Sequence, residues 1–421
     1  MIHSAARDVL SLWPPTAVVE PSASRSLRRS QRRPEMPSRK LGPGMSKARS
    51  KRVRRPRVER GNFVSEWFGY RVHPSVVSTR QGLRDQKRKR CPFLSTVIEQ
   101  DTDCVKAAAS SGICSISSTS NGPRQDWLVC PYRALDPGLL DDAARRLFSV
   151  GTSARVQVIP APMLSKEPVR RRILETVRLG GTGVAYFQDK LGGEISLSAT
   201  ARSPEFSFDS TLVEIRQTDG RLSIGRYGIL EVQTMDFHGS YRHVVKNLED
   251  ALRLHKEGFA KVLRENPGWL SERIEGPNIS NVFKRTFYQM AMKFQVGAHA
   301  HCAGCVVAIP ASVWDSWQRH LGGPALTLEP DGTFTLEKPG TTIRDRRVTG
   351  WIYVFDVQPA GRSTPDSISI LKVIATNAEA IAYYALKVAP EAALEEGGSA
   401  DRLLSTIRSR LAKLWPELIQ M

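Results

Sequence analysis

The sequence predicts an α/β (α+β) protein whose core is a mixed β-sheet flanked by helices. Segments in which polar and apolar residues alternate predict strands, because the side chains of a strand point alternately to its two faces. Other segments repeat apolar residues every three or four positions, which predicts helices. Of the 421 residues, 41% are hydrophobic, so the chain can bury a sizeable core. No stretch approaches 18 consecutive apolar residues, and we therefore expect no membrane span.

The elements of the predicted core follow one another from residue 183. Strands are predicted at 183–187, 194–198, 205–209, 226–234, 306–309, 350–357 and 368–374, with a hairpin around Asp331-Gly332. Helices are predicted at 241–264, 279–296, 376–388 and 401–413. In the strand at 226–234, Leu230 and Val232 share one face, whereas Ile229, Glu231 and Gln233 share the other.

The basic residues are concentrated at the start of the chain. The formal net charge is +19, an excess that indicates polyanionic partners, either nucleic acid or an anionic membrane surface. Residues 1–60 hold 16 Lys+Arg against 4 Asp+Glu, a net charge of +12, and residues 61–90 add a net +5. The remaining residues, 91–421, have a net charge of only +2. The body of the protein is therefore nearly neutral.

Composition and breakers divide the chain into three parts: a basic tail at 1–60, a cysteine-rich region at 61–160 and a body at 161–421, to which the resemblance described below assigns catalysis and DNA recognition. The tail is rich in Ser, Pro and Arg, and we expect it to be disordered. Three explanations of it stay open: an arm that binds nucleic acid, translated sequence upstream of a start at Met36 or Met45, or a targeting peptide. Asp8, Pro14 and Pro15 interrupt any signal peptide, so we expect no export.

Four cysteines fall within forty residues, at Cys91, Cys104, Cys114 and Cys130. Four thiolates are the number that closes a tetrahedral structural metal site, and sulfur ligands favour zinc or iron. The alternatives are unrelated buried thiols or, in an oxidising compartment, disulfides. We assign no function to Cys302 and Cys305, which precede a short apolar strand where buried cysteines are common.

Acidic residues gather on the polar faces of neighbouring predicted strands. Glu231 and Gln233 share one strand face, and Glu194 and Asp209 lie on other strand-like segments. Clustered carboxylates repel one another unless a cation lies between them, and Mg²⁺ prefers such oxygen ligands. A bound Mg²⁺ would favour the hydrolysis of a phosphodiester. The alternative is a solvated face of an ordinary sheet.

The chain from about residue 61 to 421 closely resembles the NotI-type restriction endonucleases. The resemblance extends over seven segments: Cys91–Leu94, Asp126–Pro131, Arg133–Pro137, Ser203–Asp209, Leu230–Tyr241, Glu275–Asn278 and Asn281–Met290. It implies a homodimeric, Mg²⁺-dependent nuclease of the PD-(D/E)xK superfamily that cuts double-stranded DNA at a GC-rich palindrome, GCGGCCGC- or CGGCCG-like. It also implies a structural iron on the four cysteines, a bacterial cytoplasmic location and a DNA methyltransferase that protects the same site.

The family's acidic motif maps onto Glu194, Asp209 and Glu231, with Gln233 where most of the superfamily has Lys. The resemblance implies that Asp209 and Glu231 bind Mg²⁺ and that Glu194 serves an auxiliary site. Because an amide neither accepts a proton nor adds positive charge, we expect Gln233 to orient the attacking water while the metal activates it.

Recognition of G and C in the major groove requires Arg or Lys facing guanine, or Glu or Asp facing cytosine. The residues that we expect to contact DNA are Glu205, Arg226, Arg242, Lys284, Arg285 and Gln289. Two other functions stay open: a sequence-specific DNA-binding protein that does not cut, and a repair nuclease without sequence preference.

Overall fold

The fold is known from a computed structural model that describes residues 61–119, 123–218, 220–342, 346–358 and 365–419. The predicted tail, 1–60, lies outside the described residues. The strands are β1 Phe63–Trp67, β2 Tyr70–Arg71, β3 Ile113–Ser118, β4 Gln125–Leu128, β5 Val156–Pro160, β6 Thr182–Gln188, β7 Ile195–Leu197, β8 Phe206–Phe208, β9 Ser210–Thr218, β10 Arg221–Val232, β11 Phe237–Gly239, β12 Ile274–Pro277, β13 Cys302–Pro310, β14 Thr327–Leu328, β15 Phe334–Thr335, β16 Gly350–Gln358 and β17 Ser367–Thr376.

The helices lie between these strands and after them. They are α1 Arg80–Arg88, α2 Pro92–Ile98, α3 Pro137–Leu147, α4 Glu167–Arg178, α5 Arg242–Leu254, α6 Phe259–Glu265, α7 Ile279–Val296, α8 Ala311–His320, α9 Ala378–Tyr383, α10 Ala389–Leu394 and α11 Ser399–Leu414. A π-helical turn, Tyr384–Val388, joins α9 to α10.

A nine-stranded mixed sheet forms the centre of the fold, in the order β14-β15-β17-β16-β13-β10-β9-β6-β5. Its middle strands β10, β13 and β16 run parallel, whereas β9 pairs antiparallel with both β10 and β6. Parallel neighbours need crossover connections, and helices supply them here. The prediction of a mixed α/β fold with a large sheet flanked by helices is therefore confirmed.

Both faces of the sheet are covered, as the alternation along β13 shows. Cys305, Val307 and Ile309 belong to one hydrophobic cluster, and Val306 and Ala308 belong to the other. A central strand that is buried on both sides is apolar throughout, because neither face meets water. Residues of α5 to α9 pack in the first cluster, and residues of α2 and α3 pack in the second.

A four-stranded antiparallel sheet, β2-β1-β3-β4, packs beside the large one. Arg133 joins the two through a fully buried ion pair: its Nε and Nη2 each lie 2.9 Å from an oxygen of Glu66 in β1. Nη2 also donates to the carbonyl oxygen of Asp366, the residue before β17. A buried guanidinium needs several acceptors because it has given up its hydration, and these three contacts supply them.

Most predicted elements lie where the periodicity places them. The predicted strands at 183–187, 226–234, 350–357 and 368–374 and the helix at 279–296 are confirmed. The prediction of one helix over 241–264 is wrong, because α5 ends at Leu254 and α6 begins at Phe259, after Gly258. Glycine is a weak helix former, and the helix is interrupted just before α6. The apolar period continues across this break, which is why the sequence predicted one helix.

Candidate active site

Two carboxylates lie side by side at the point where β9 begins and β10 ends. Asp209 links β8 to β9, and Glu231 is the second-last residue of β10, whose Leu230 pairs with Ser210. The backbone N–H of Asp209 donates to Oε1 of Glu231 at 3.2 Å, and the N–H of Val232 donates to Oδ2 of Asp209 at 3.0 Å. Each carboxylate therefore accepts a hydrogen bond from a backbone N–H group at or next to the other acidic residue, and this fixes its orientation.

The pair is electrostatically unfavourable by itself. Glu231 is 9% exposed. Burial, and secondly the neighbouring Asp209 carboxylate, raise the pKa of Glu231 to about 8, against the lowering effect of Lys293. A carboxyl group whose ionisation is resisted by burial and by a like charge is characteristic of sites that bind a cation or transfer a proton.

Helix α7 supplies the positive charge that faces this pair. Nζ of Lys293 lies 2.5 Å from Oε2 of Glu231, and the two side chains are 5% and 12% exposed. The same ammonium lies 5.8 Å from the centre of the Phe208 ring. Sequence reasoning missed Lys293. The available signal was a lysine on the apolar side of a helix, beside Phe294 and one turn after Met290.

Gln233 is held by the same helix. Its Nε2 donates to the carbonyl oxygen of Thr234 at 2.7 Å, and its Oε1 accepts a hydrogen bond from the hydroxyl of Thr286. Thr286 and Lys293 are seven residues apart, so they lie on one face of α7 and contact the face of β10 that Glu231 and Gln233 share. The role of Gln233 in orienting water stays a prediction.

Glu194 lies at the edge of the acidic pair. It precedes β7, whose first residue, Ile195, pairs with Phe208, the residue before Asp209. Burial, and then the Asp209 carboxylate, raise the pKa of Glu194. Glu194 is exposed, so it faces solvent beside the buried pair.

A pocket of about 530 Å³ opens beside the carboxylates, between α7 and the β7–β8 hairpin. Asp209 and the buried Lys293 line it, together with Glu205 and Gln289, which are both predicted to contact DNA. The exposed Tyr288 completes the α7 side, with its ring 6.0 Å from that of Phe206.

The other predicted DNA contacts lie outside this pocket. Arg226 is five residues before Glu231 on β10, about 17 Å along the strand. Arg242 is exposed at the start of α5, and Lys284 is exposed on α7. Arg285 lies with Nη1 3.8 Å from Oδ2 of Asp236, and both side chains are more than three-quarters exposed.

The four clustered cysteines lie in one region as thiols. Cys91, Cys114 and Cys130 belong to one buried cluster, and Cys104 packs against it. The N–H of Gly112 donates to Sγ of Cys104 at 3.4 Å, and the thiol of Cys114 donates to the carbonyl oxygen of Gly112 at 3.3 Å. Burial raises the pKa of Cys91 to about 12 and raises the pKa values of Cys114 and Cys130.

Within the described residues, no three His, Cys, Asp or Glu side chains come together as ligands of one metal ion. The four-Cys ligand set expected from the sequence is therefore not formed. The acidic pair does fit Mg²⁺, which needs only one or two carboxylates and completes its coordination with water and phosphate oxygens.

Comparison with known proteins adds no relative. No protein-family model matches the chain, and no curated protein matches it. Among the helices that the structure describes, none is long and apolar enough to cross a membrane.

Because Asp209 and Glu231 repel each other, we expect that neutralising Asp209 stabilises the folded protein by an amount that depends on pH. Because the pKa of Glu231 is higher in the folded than in the unfolded protein, its contribution to stability is complete below about pH 4.5 and is lost as pH rises through about 8. Asp209→Asn removes one cause of this shift. With a chelator present, we expect it to raise the free energy of unfolding by about 1 kcal/mol at pH 9, and by less at pH 6.

Urea denaturation at the two pH values measures this difference. Glu257→Gln, which neutralises an exposed carboxylate, is the matched control and should change stability equally at both. A loss of stability in Asp209→Asn at pH 9 would contradict the electrostatic description of the site.

Proposed function

We propose that the chain is a Mg²⁺-dependent endonuclease that hydrolyses phosphodiester bonds of double-stranded DNA at a specific site, as a type II restriction enzyme. The observation that supports this best is the Asp209–Glu231 pair, which is fixed by reciprocal backbone hydrogen bonds and of which Asp209 lines an open pocket. Two adjacent carboxylates that share a single ammonium, Lys293, fit a metal-dependent phosphodiesterase better than a solvated sheet face, because Glu231 is buried.

The pocket has the side chains that the proposal needs. Asp209 and Glu231 would hold Mg²⁺ at its inner end. When bound, Mg²⁺ lowers the pKa of a coordinated water and offsets the charge that develops on the phosphate. Glu205 and Gln289 lie farther out on opposite walls, where a carboxylate can accept from cytosine N4 and an amide can bond a base edge.

The finer features of the proposal come from the resemblance to the NotI-type enzymes. They are a PD-(D/E)xK core, a homodimer that reads a GC-rich palindrome, a cytoplasmic location and a partner methyltransferase. A palindromic target suits a two-fold symmetric dimer, because each subunit then cuts one strand. Two other functions would leave different products: a non-specific nuclease gives random ends, and a DNA-binding protein without nuclease activity leaves DNA intact.

Asp209→Ala and Glu231→Ala should each lower cleavage at least 1,000-fold, because each removes an oxygen ligand from Mg²⁺. The substrate is a duplex with GCGGCCGC at its centre, which also contains CGGCCG. Single-turnover cleavage measures the loss, and fluorescence anisotropy with Ca²⁺ in place of Mg²⁺ measures DNA binding, which we expect to stay within about fivefold.

Glu265→Ala, at the exposed end of α6 and outside the pocket, is the control and should cut as the unchanged chain does. Full cleavage by Asp209→Ala or by Glu231→Ala would show that the substituted residue is not a required metal ligand. Loss of both cleavage and binding would mean that the substitutions act on the fold.

We also propose that Cys91, Cys104, Cys114 and Cys130 hold one structural iron or zinc ion when the metal is present. Their shared location supports this, because Cys91, Cys114 and Cys130 lie in one buried cluster and Cys104 packs against it. Elemental analysis of the purified protein should find one equivalent of iron or zinc per chain, and Cys130→Ser should lower it to below about half. Cys305→Ser, in β13, is the control. A metal content near zero in the unchanged protein would contradict the proposal.

A further inference from the structure

Lys293 is a buried cation that the proposed mechanism has not yet used. It lies on α7, on the side that faces the sheet, where an apolar residue would be expected. Its neighbours Met290 and Phe294 on the same helix are almost completely buried. Burying an ammonium group is costly unless close acceptors replace its water. A lysine in this position therefore indicates a requirement for positive charge.

The ammonium is held where the two carboxylates and the pocket meet. One of its N–H groups is directed to Oε2 of Glu231, at 2.5 Å. An ammonium has three N–H donors, and Lys293 also lines the pocket together with Asp209. The side chain thus contacts the buried carboxylate and still borders the space that the substrate would occupy.

The exposed side of α7 borders the same pocket one turn earlier. Tyr288 and Gln289 line the pocket wall and are exposed. A nucleic acid in contact with them would bring its backbone toward the inner end of the pocket, where Lys293 lies. Gln233 cannot supply a positive charge there, because it is neutral and its amide is bonded to Thr286 and Thr234.

We propose that Lys293 is a catalytic residue, whose ammonium donates a hydrogen bond to a non-bridging oxygen of the scissile phosphate and offsets the negative charge that grows there. It supplies from α7 the cation that the strand motif lacks at Gln233. This inference rests on the proposed function, since it requires a phosphodiester substrate. The ammonium donates this hydrogen bond and transfers no proton, so the proton of the attacking water leaves through the metal-bound water of the proposed function.

The test compares Lys293→Met and Lys293→Arg with Lys261→Met, an exposed lysine on α6. The substrate is the GCGGCCGC duplex. The ends that the unchanged enzyme produces from it are mapped first, and they identify the scissile phosphate. In single-turnover cleavage, Lys293→Met should be slower by about 100-fold to 1,000-fold, the usual effect of removing one donor to a developing charge. Lys293→Arg should cut at least about tenfold faster than Lys293→Met, and Lys261→Met should cut as fast as the unchanged enzyme.

A second measurement needs no metal and no cleavage. With a chelator present, anisotropy compares binding of the ordinary duplex with one whose scissile phosphate is a neutral methylphosphonate. The unchanged protein should bind the charged duplex about tenfold more tightly, because a charge-assisted hydrogen bond is lost with the neutral one. Lys293→Met should bind both duplexes equally, and the melting temperature reports whether the variant is folded.

The outcomes separate this inference from the proposed function. If the unchanged enzyme cuts and Lys293→Met cuts within threefold of it, the inference is overturned and the proposed function stands. Equal binding of the charged and neutral duplexes by the unchanged protein also overturns the inference, even if the variant does not fold. If the unchanged enzyme cuts no DNA, both proposals are overturned.

Discussion

The contact between helix α7 and strand β10 determines how the candidate site is built. Glu231 is buried beside Asp209, and both burial and the like charge oppose its ionisation. Lys293 meets Glu231 at 2.5 Å and partly offsets both effects. Lys293 therefore favours the ionised form of Glu231, while burial and Asp209 still hold the pKa of that carboxyl above its usual range.

The central sheet explains why residues that are far apart in the sequence meet there. β10 lies in the middle of the nine strands, with β9 on one side and β13 on the other. The antiparallel pairing of β9 with β10 brings Asp209 to Glu231, and the chain returns through α7 before it adds β13 in parallel. The crossover helix therefore brings Thr286 to Gln233 and Lys293 to Glu231.

The sequence predicted the strand part of this arrangement well. The two-residue period correctly placed Glu231 and Gln233 on the strand face opposite Leu230 and Val232, because strand geometry is local. It could not identify Lys293, since the pairing of a helical residue with a strand residue 62 positions earlier depends on how the crossover packs. The same limit applies to the break at Gly258, where the apolar period continues although the helix does not.

The cysteine region shows a different limit. Spacing indicated how many thiols could share a metal ion, but the state of those thiols depends on protonation and on the metal itself. In the structure Cys91, Cys114 and Cys130 are buried thiols with raised pKa values. Sequence spacing can thus suggest a ligand set, but it does not determine how the thiols are placed once the region is packed.

The proposed active site at Asp209 and Glu231 belongs to a sequence-specific nuclease only if the whole chain cuts DNA at defined ends. The most direct measurement is to incubate the full chain with phage DNA and Mg²⁺, and to sequence every end that is produced. The account predicts a small set of discrete ends that share one GC-rich palindrome, and no ends when a chelator replaces Mg²⁺. Random ends, or intact DNA at every divalent metal concentration, would contradict it.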